Sequence, residues 1–258
     1  MAIRKVGVRL TYDLFVKDTH NFILSNGILT HNSGKTTLAL TFPGTIAALS
    51  FDKKTMMPKM NYFNGDKRIK VFNAVKYYSR ETDEKNKSAE ETYHYVLKIL
   101  EELKEKQPDW VLIDGIEIFQ KIAEGVMRHH HNLTPYQGVS NRNIWKERRD
   151  VIAKVHDEAI KASKRGVIYT TYTTHEEIVE EGTVVTKLEI PRYIDKVMWE
   201  TDFVLNIKNN YDPKSKKTAF ILRVVSSKDD KKMKTGTVVD VTGIKKIEDK
   251  FPKMKMGG

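Results

Sequence analysis

The stretch GILTHNSGKTT contains the second half of a phosphate-binding loop without the first half. In the pattern G-x-x-x-x-G-K-[ST], the second glycine, the lysine and the hydroxyl residue match Gly34, Lys35 and Thr36. The first glycine belongs at position 29, where Leu29 stands. Such a loop joins a strand to the N-terminus of a helix in an α/β fold. We therefore expect an α/β protein that lacks the strand and the glycine-rich turn before Ser33.

Helix and strand patterns alternate after Ser33, which is typical of a parallel sheet. The predicted strands cover 45–51, 68–75, 109–114 and 166–174, and the predicted helices cover 33–42, 89–106 and 141–165. A polar stretch at 79–90 predicts a loop. Turn signals near Gly182, Asp212 and Gly236 predict β-hairpins in the remainder.

Charge and cysteine content narrow the class of protein. The net charge of +11 suits a polyanionic partner, most often nucleic acid, and the alternative is a lysine-rich surface. Cysteine is absent, which excludes disulfides and thiolate chemistry. We expect a cytosolic location, because the sequence carries neither a membrane-length apolar run nor a signal-peptide pattern. Residues 245–258 predict a basic flexible tail.

The motif residues predict a nucleotide site. Backbone N–H groups at a helix N-terminus hold phosphates, the loop lysine reaches the terminal phosphates, and the loop hydroxyl binds Mg²⁺. The apolar run WVLID ends in Asp114, as a Walker B strand does, so this carboxylate is expected to hold Mg²⁺ through water. The alternative for Asp114 is a helix N-cap. The predicted binding stretch comprises Ser33, Gly34, Lys35, Thr36 and Thr37.

Residues 11–32, TYDLFVKDTHNFILSNGILTHN, resemble the C-terminal end of an intein, a self-splicing protein element. The resemblance explains why Leu29 stands where the loop glycine belongs, since an intein inserted in the loop separates its two halves. It implies a short β-rich C-terminal fragment of the Hint fold at 1–32 and an extein at 33–258. With no intein N-terminal region in the sequence, we expect the downstream half of a split intein, with an engineered truncation as the alternative.

The resemblance also assigns the splicing chemistry, which needs no cofactor. Ser33 is the nucleophile after the intein, and Asn32 attacks its own peptide carbonyl to form a succinimide. His31 polarises that peptide bond, His20 assists by proton transfer, and Asp13 coordinates transesterification with cyclisation. The alternatives are a structural hairpin pair for His20 and Asp13 and a deamidation-prone loop for Asn32. The implied partner is an intein N-terminal fragment carrying the upstream extein.

The part after Ser33 resembles the RecA-core P-loop ATPases of phages, in particular nucleotide-binding recombination proteins linked to single-strand annealing. The segments that carry this resemblance are SGKTTLAL, FPGTIAALSFD, WVLIDGI, VIYTTYTTHEE and FILRVVSSKDDKK. It implies a RecA-like core without its first strand, ATP and Mg²⁺ as cofactors, single-stranded DNA as a partner and a homo-oligomer. It also places Thr174 and His175 toward the γ-phosphate, and Arg223 and Lys228 toward a neighbouring subunit's nucleotide, with solvated positions as the alternatives.

One position departs from the RecA pattern. The water-activating glutamate of that family is replaced by Lys54. We favour Asp52 in this role, with Glu117 or Glu176 as alternatives, and weak hydrolysis remains open. Two further functions stay open for the extein: a small-molecule kinase of the phosphate-loop type, and a catalytically dead nucleotide-dependent DNA-binding module.

Residues 129–145 predict a flexible DNA-binding loop. Tyr136 and Trp145 offer surfaces for base stacking and Arg142 offers a phosphate contact. The three consecutive histidines that open this segment suggest a metal only weakly, because adjacent residues on a helix point in different directions.

Overall fold

The computed structural model of the protein describes residues 21–23, 29–31, 34–52, 55–180, 183–191, 201–212, 215 and 217–254. Contacts divide the chain into two compact units, Met1–Lys35 with Phe203–Ile244, and Thr36–Asp202 with Lys245–Gly258. The predicted division at Ser33 concerns a chemical junction, and it stays a prediction.

The first elements in chain order form a hairpin and the sheet that follows it. They are β1 (Asn21–Ile23), β2 (Leu29–His31), α1 (Lys35–Ala39), β3 (Ile46–Ser50), α2 (Met56–Phe63), β4 (Ile69–Asn73), α3 (Lys85–Lys106), β5 (Trp110–Asp114), α4 (Ile116–His130), α5 (Arg142–Lys161) and β6 (Gly166–Thr170). The later elements are β7 (Thr173–Glu180), β8 (Thr183–Pro191), β9 (Phe203–Asp212), β10 (Lys217–Ser227) and β11 (Val238–Asp240), followed by 3-10 turns at Ile247–Asp249 and Pro252–Met254.

The larger unit is built on a four-stranded parallel sheet in the order β4-β3-β5-β6. β3 is buried throughout, as its apolar run IAALS predicts for a central strand of a covered sheet. The alternation of helices and strands therefore gave the correct fold class. The protein is mixed α/β, with a parallel sheet and antiparallel strands elsewhere.

Helices α3, α4 and α5 pack on one face of this sheet and form the main apolar core. Val96 and Leu100 of α3, Phe119 of α4 and Val155 of α5 are each almost fully buried there. The predicted helix at 89–106 is confirmed, but it begins earlier, at Lys85. The predicted loop at 79–90 is therefore wrong over its second half.

Antiparallel strands account for the rest of the described chain. In the smaller unit β10 pairs with β9 on one side and β11 on the other. In the larger unit β7 pairs with β8. These pairings confirm the predicted β-hairpins, although Gly182 and Pro213 themselves lie outside the described residues.

The flexible tail predicted at 245–258 is wrong for residues 245–254. Ile247, Phe251 and Met254 are buried, and the Ile247 N–H donates to the Thr41 carbonyl oxygen at 3.1 Å. Apolar side chains at this spacing fix the segment on the larger unit despite its lysines. Within the described ranges, no helix is both long and apolar enough to cross a membrane.

Candidate functional site

Asp114 ends β5 and is 1% exposed. Three threonine hydroxyls donate to its carboxylate. Thr36 lies 2.9 Å from Oδ1 and 3.1 Å from Oδ2, Thr170 lies 2.6 Å from Oδ1, and Thr55 lies 2.5 Å from Oδ2. A buried carboxylate needs such donors, because burial without them would cost several kcal/mol. The predicted N-cap role of this residue is not observed, since Gly115 is the N-cap of α4.

The topology explains why these residues meet. The carboxyl ends of parallel strands share one edge of a sheet, and ligands in open α/β folds bind along that edge. Asp114 stands opposite Thr170 of β6 on one side and Ser50 of β3 on the other. Thr55 follows β3, and Thr36 is the second residue of α1. The site therefore collects the ends of β3, β5 and β6 and the start of α1.

Gly115 shapes the turn that leaves β5. Its φ of +92° lies in the left-handed region that favours glycine, and a Cβ there would lie 3.3 Å from the Asp52 Cβ. The Gly115 N–H donates to the Thr170 hydroxyl at 2.9 Å. Thr170 thus binds the backbone and the Asp114 carboxylate at once.

Further acidic groups lie at the same edge. The Thr171 hydroxyl donates to Glu117 Oε1 at 2.9 Å, and the Tyr172 N–H donates to the same oxygen. Burial raises the pKa of the Tyr172 phenol, and the negative charges of Glu117, Asp52 and Asp114 raise it further. The edge therefore combines three carboxylates with hydroxyl donors.

The structure brings together Thr36 and Asp114, the two residues predicted to hold Mg²⁺. Asp52, the predicted water-activating residue, is half-buried beside Gly115, and Glu117 stands at the same edge. Sequence reasoning missed Thr55 and Thr170, because a threonine that donates to a distant carboxylate leaves no spacing signal.

The structure describes four of the five predicted phosphate-loop residues, Gly34, Lys35, Thr36 and Thr37. Gly34 has a φ of +78°, which suits the second glycine of such a loop. Lys35, Thr36 and Thr37 lie in α1. Ser33 and Lys54 lie outside the described residues.

The remaining candidates are placed only by their backbone or lie outside the described residues. Thr174, His175 and Glu176 belong to β7, and the structure does not describe their side chains. Near the N-terminus, β1 pairs antiparallel with β2 so that Asn21 stands opposite His31. Asp13, His20 and Asn32 lie outside the described part of the chain. Arg223 and Lys228 are exposed in the smaller unit.

The flexible loop predicted at 129–145 is wrong at both ends, because α4 extends to His130 and α5 begins at Arg142. Tyr136 is 75% exposed in the segment between them. Trp145 is half-buried on α5, where its Nε1–H donates to the Val139 carbonyl oxygen at 3.1 Å. Arg142 and Tyr136 are thus exposed, with the Lys85 Nζ 5.2 Å from the centre of the Tyr136 ring, whereas Trp145 helps to hold the connection.

The histidines at the end of α4 bind carboxylates. His131 Nε2 lies 2.7 Å from Glu147 Oε2, and His130 bonds to the other oxygen of the same carboxylate. The described residues contain no cluster of three or more histidine and acidic side chains suited to a metal ion.

The oxygen atoms at the edge are of the kind that Mg²⁺ binds. The Thr36 hydroxyl and the Asp114 carboxylate are hard oxygen ligands, and they stand next to each other beside the start of α1. No family model matches the chain, and the search of curated proteins finds no significant relative. The sequence motifs and this geometry are therefore the features of the protein that indicate its function.

Proposed function

We propose that the protein is a precursor for protein trans-splicing. Residues 1–32 act as the C-terminal fragment of an intein, and excision joins Ser33 to an upstream extein and completes a phosphate-binding loop. The observation that carries this proposal is the hydrogen bond between Thr36 and Asp114. The second half of the loop is assembled on a parallel sheet, while Leu29 occupies the place of the loop's first glycine.

The N-terminal hairpin supports the splicing role. β1 and β2 pair Asn21 with His31. His31 is itself one of the proposed splicing residues, and His20 and Asn32 are the sequence neighbours of Asn21 and His31.

Each splicing residue has a defined chemical role in the proposal. The Ser33 hydroxyl attacks the ester or thioester formed on the first residue of the upstream intein fragment, a Cys or Ser. The bond to that side chain breaks, its oxygen or sulfur takes up the proton, and the acyl group becomes an ester on Ser33, with Asp13 helping to time this step. The Asn32 side-chain nitrogen then attacks the Asn32 carbonyl carbon, breaking the bond to Ser33 and forming a succinimide. His31 and His20 transfer the protons, because histidine titrates near neutral pH. The freed Ser33 amine finally captures the ester as an amide.

The spliced extein is proposed to be a RecA-like P-loop ATPase acting with single-stranded DNA. When bound, ATP would supply the phosphoanhydride bond that water cleaves, and Mg²⁺ would neutralise charge on its phosphates. Lys35 and the N-terminus of α1 would bind phosphates, Thr36 and Asp114 would hold the metal, and Asp52 or Glu117 would orient water. Thr174 and His175 would contact the terminal phosphate.

The DNA and oligomer roles of the proposal depend on charge and exposure. The net charge of +11 favours a polyanion. Tyr136 and Arg142 lie at the exposed connection between α4 and α5, with Trp145 holding that connection. Arg223 and Lys228 are proposed to reach a neighbouring copy of the protein.

The deciding experiment mixes this chain with an upstream half that ends in an intein N-terminal region and measures intact masses. Loss of residues 1–32 with ligation at Ser33 is the expected result. An Asn32→Ala chain is the matched control, and it should form an ester-linked species without releasing the intein. Unchanged mass with well-folded upstream halves would contradict the splicing proposal.

ATP turnover by the ligated product then separates the functions of the extein. Stimulation by single-stranded DNA supports the ATPase. Nucleotide-dependent DNA binding without turnover indicates the dead module, which Lys54 in place of a glutamate favours. Phosphorylation of a small molecule without a DNA effect indicates a kinase.

A further inference from the structure

A cavity of about 490 Å³ lies in the larger unit beside the residues that precede β3 and β4. Residues 41–44 form one side of it, residues between 62 and 68 form a second side, and residues 245–248 form a third. Asp114 pairs with Ser50 at the far end of β3, and a strand of five residues is roughly 15 Å long. The cavity is therefore separate from the site around Asp114, and its volume suits a small ligand.

Arg68 fixes the shape of this cavity. Its Nη1 and Nη2 groups donate to the carbonyl oxygens of Phe42 and Leu40, each at 2.7 Å. Its Nε–H donates to Asp66 Oδ2, also at 2.7 Å. These bonds join the segment after α1 to the segment before β4, so the wall of the cavity is already formed before a ligand binds.

Two aromatic side chains, Tyr62 and Phe63, line the cavity and are half-buried. The Lys245 Nζ lies 5.7 Å from the centre of the Tyr62 ring and 5.6 Å from the centre of the Phe63 ring. The same ammonium group donates to the Tyr62 carbonyl oxygen. Aromatic rings combined with a basic side chain are typical of sites that bind a base together with its phosphate.

Glu248 adds a hydrogen-bond acceptor to the cavity. Its Oε2 atom is buried and has no hydrogen-bond partner among the residues that the structure describes. A buried carboxylate oxygen without a donor is unfavourable, so a ligand that brings N–H groups to Glu248 gains affinity. The last torsion of a glutamate side chain is soft, which lets both oxygens turn toward such donors.

The charges around the cavity restrict the kind of ligand. Lys246 also lines the cavity and is exposed, so two ammonium groups stand beside the Glu248 carboxylate. A nucleotide has the matching parts, namely a planar base, an anionic phosphate and an N–H edge. Guanine presents two adjacent donors, N1–H and the N2 amino group, which suit the two oxygens of one carboxylate. A cationic peptide would suit Glu248 alone, and the two lysines would repel it.

We propose that this cavity binds a guanine nucleotide. The base lies against Tyr62 and Phe63, and its N1–H and N2 amino groups donate to Glu248. Lys245 and Lys246 bind the phosphate. The ligand is either a free mononucleotide or a guanosine within a single-stranded nucleic acid, since both present the same groups. The inference does not depend on the proposed function, because no residue of the splicing site or of the phosphate loop takes part.

The test measures the binding of GMP to the full chain by calorimetry, with EDTA present so that Mg²⁺-dependent binding at the phosphate loop does not contribute. Inosine 5′-monophosphate is the matched ligand, because it differs from GMP only by lacking the N2 amino group. GMP should bind about tenfold or more tightly than inosine monophosphate, since the hydrogen bond that is lost has a charged acceptor.

A cycle of ligand and protein changes assigns this preference to one side chain. Glu248→Gln should reduce the preference for GMP to within about twofold, because the glutamine amide offers a single acceptor and brings a donor of its own. Asp249→Asn is the matched control, since it makes the same change of charge at an exposed neighbouring position outside the cavity. That variant should keep the full preference.

Further variants locate the phosphate. Lys246→Ala should lower GMP affinity by about threefold or more and leave the affinity for guanosine, which has no phosphate, within about twofold. Lys250→Ala, at an exposed position that does not line the cavity, is the control and should change neither affinity. Lys35→Ala should bind GMP as tightly as the unchanged chain, because the phosphate loop is not the binding site.

A short oligothymidine with one guanine distinguishes the two sources of the ligand. A gain in affinity over the all-thymidine strand identifies a nucleic acid as the source, and binding of GMP without such a gain identifies the free nucleotide. The inference is overturned by no binding at about 1 mM GMP, by equal affinities for GMP and inosine monophosphate, by a preference that survives Glu248→Gln, or by loss of binding in Lys35→Ala. An arginine-rich peptide that binds through Glu248 while GMP does not bind would also overturn it.

Discussion

The Thr36 hydroxyl donates to both carboxylate oxygens of Asp114, at 2.9 and 3.1 Å. The bond links the start of α1 to the end of β5, two motifs that are 78 residues apart in the sequence. The bond thus connects Thr36, which follows the proposed splice junction at Ser33 closely in the sequence, to the buried Asp114 of the larger unit. The stability of that unit and the proposed nucleotide site consequently depend on the same carboxylate.

Asp114→Asn should destabilise the protein by about 1–3 kcal/mol, because an amide nitrogen cannot accept from the three hydroxyls that now donate to the carboxylate. The free energy of unfolding from urea denaturation measures the effect. Asp150→Asn, at an exposed position on α5, is the control and should stay within about 0.5 kcal/mol. Equal losses in the two variants would contradict the assigned role of Asp114.

Gly125→Ala should destabilise the contact between α3 and α4. A Cβ at position 125 would lie 2.6 Å from the Ala89 Cβ. The overlap should cost about 1–3 kcal/mol, which exceeds the roughly 1 kcal/mol that alanine gains over glycine in a helix. Denaturation of the variant measures the net loss.

A double-mutant cycle tests the cause of that loss. Ala89→Gly combined with Gly125→Ala should be more stable than the sum of the two single changes, because one Cβ is removed where the other is added. Gly138→Ala is the control, since nothing lies within 4 Å of its added Cβ. Strict additivity of the two changes would show that the contact with Ala89 is not responsible.

His130 should contribute stability that depends on pH. Its bond to Glu147 raises the pKa of His130 above 6.5. Burial tends to raise the pKa of Glu147, but bonds from His130 and His131 outweigh this and lower it below 4.5. The histidine's contribution is complete below pH 6.5 and is lost as pH rises through its raised pKa. The carboxylate's contribution is complete above pH 4.5 and is lost at lower pH.

The difference in unfolding free energy between the wild type and His130→Gln should therefore be largest between about pH 4.5 and 6.5. Glu147→Gln should lower the same maximum without abolishing it, because Glu90 Oε2 also lies 3.0 Å from His130 Nε2. Thermal or urea denaturation across this range provides the measurement. A difference that does not vary with pH would contradict the assigned ion pair.

Glu158 should stabilise the protein even in acid. Bonds from Lys104, Lys154 and Lys161 lower the pKa of its carboxyl to about 2. Its contribution is therefore complete above pH 4.5 and is lost only as pH falls through about 2. The stability difference between the wild type and Glu158→Gln should be constant from pH 7 to about pH 5 and shrink below that.

The control for this prediction is Glu101→Gln. Glu101 also binds Lys104, at 2.5 Å, but its side chain is 72% exposed, so solvent screens the pair. The Glu101 variant should show a much smaller stability change than the Glu158 variant. Similar changes in both would mean that the three-lysine cluster has no special role.

The sequence predicted the parallel sheet and the meeting of Thr36 with Asp114, because apolar periodicity and loop spacing are local signals. It did not predict α4. That helix follows a glycine instead of a capping side chain, and it contains Gly125, which propensity rules penalise. Gly125 is required because a Cβ there would overlap Ala89 of α3. Ala89 is far from Gly125 in the sequence, so a local sequence pattern does not reveal this contact.

The incorrect predictions of a flexible tail at 245–258 and of a flexible loop at 129–145 have similar causes. Lysines dominate the composition of residues 245–254, while three apolar side chains decide where the segment lies. In the segment 129–145, polar composition suggested flexibility, but the Trp145 indole and the Arg128 guanidinium bind backbone carbonyls there. A polar composition predicts an exposed and mobile segment. These two segments are instead fixed by specific buried side chains and hydrogen bonds, which composition does not show.

The contact of Ile247 with Thr41 has a consequence for how the protein is made. A ribosome delivers Thr41 well before Ile247, with strands β9, β10 and β11 translated in between. The larger unit therefore waits for this later segment before its last apolar residues are covered. During that interval the nascent polypeptide exposes apolar surface, which makes it a client for chaperones that bind emerging chains.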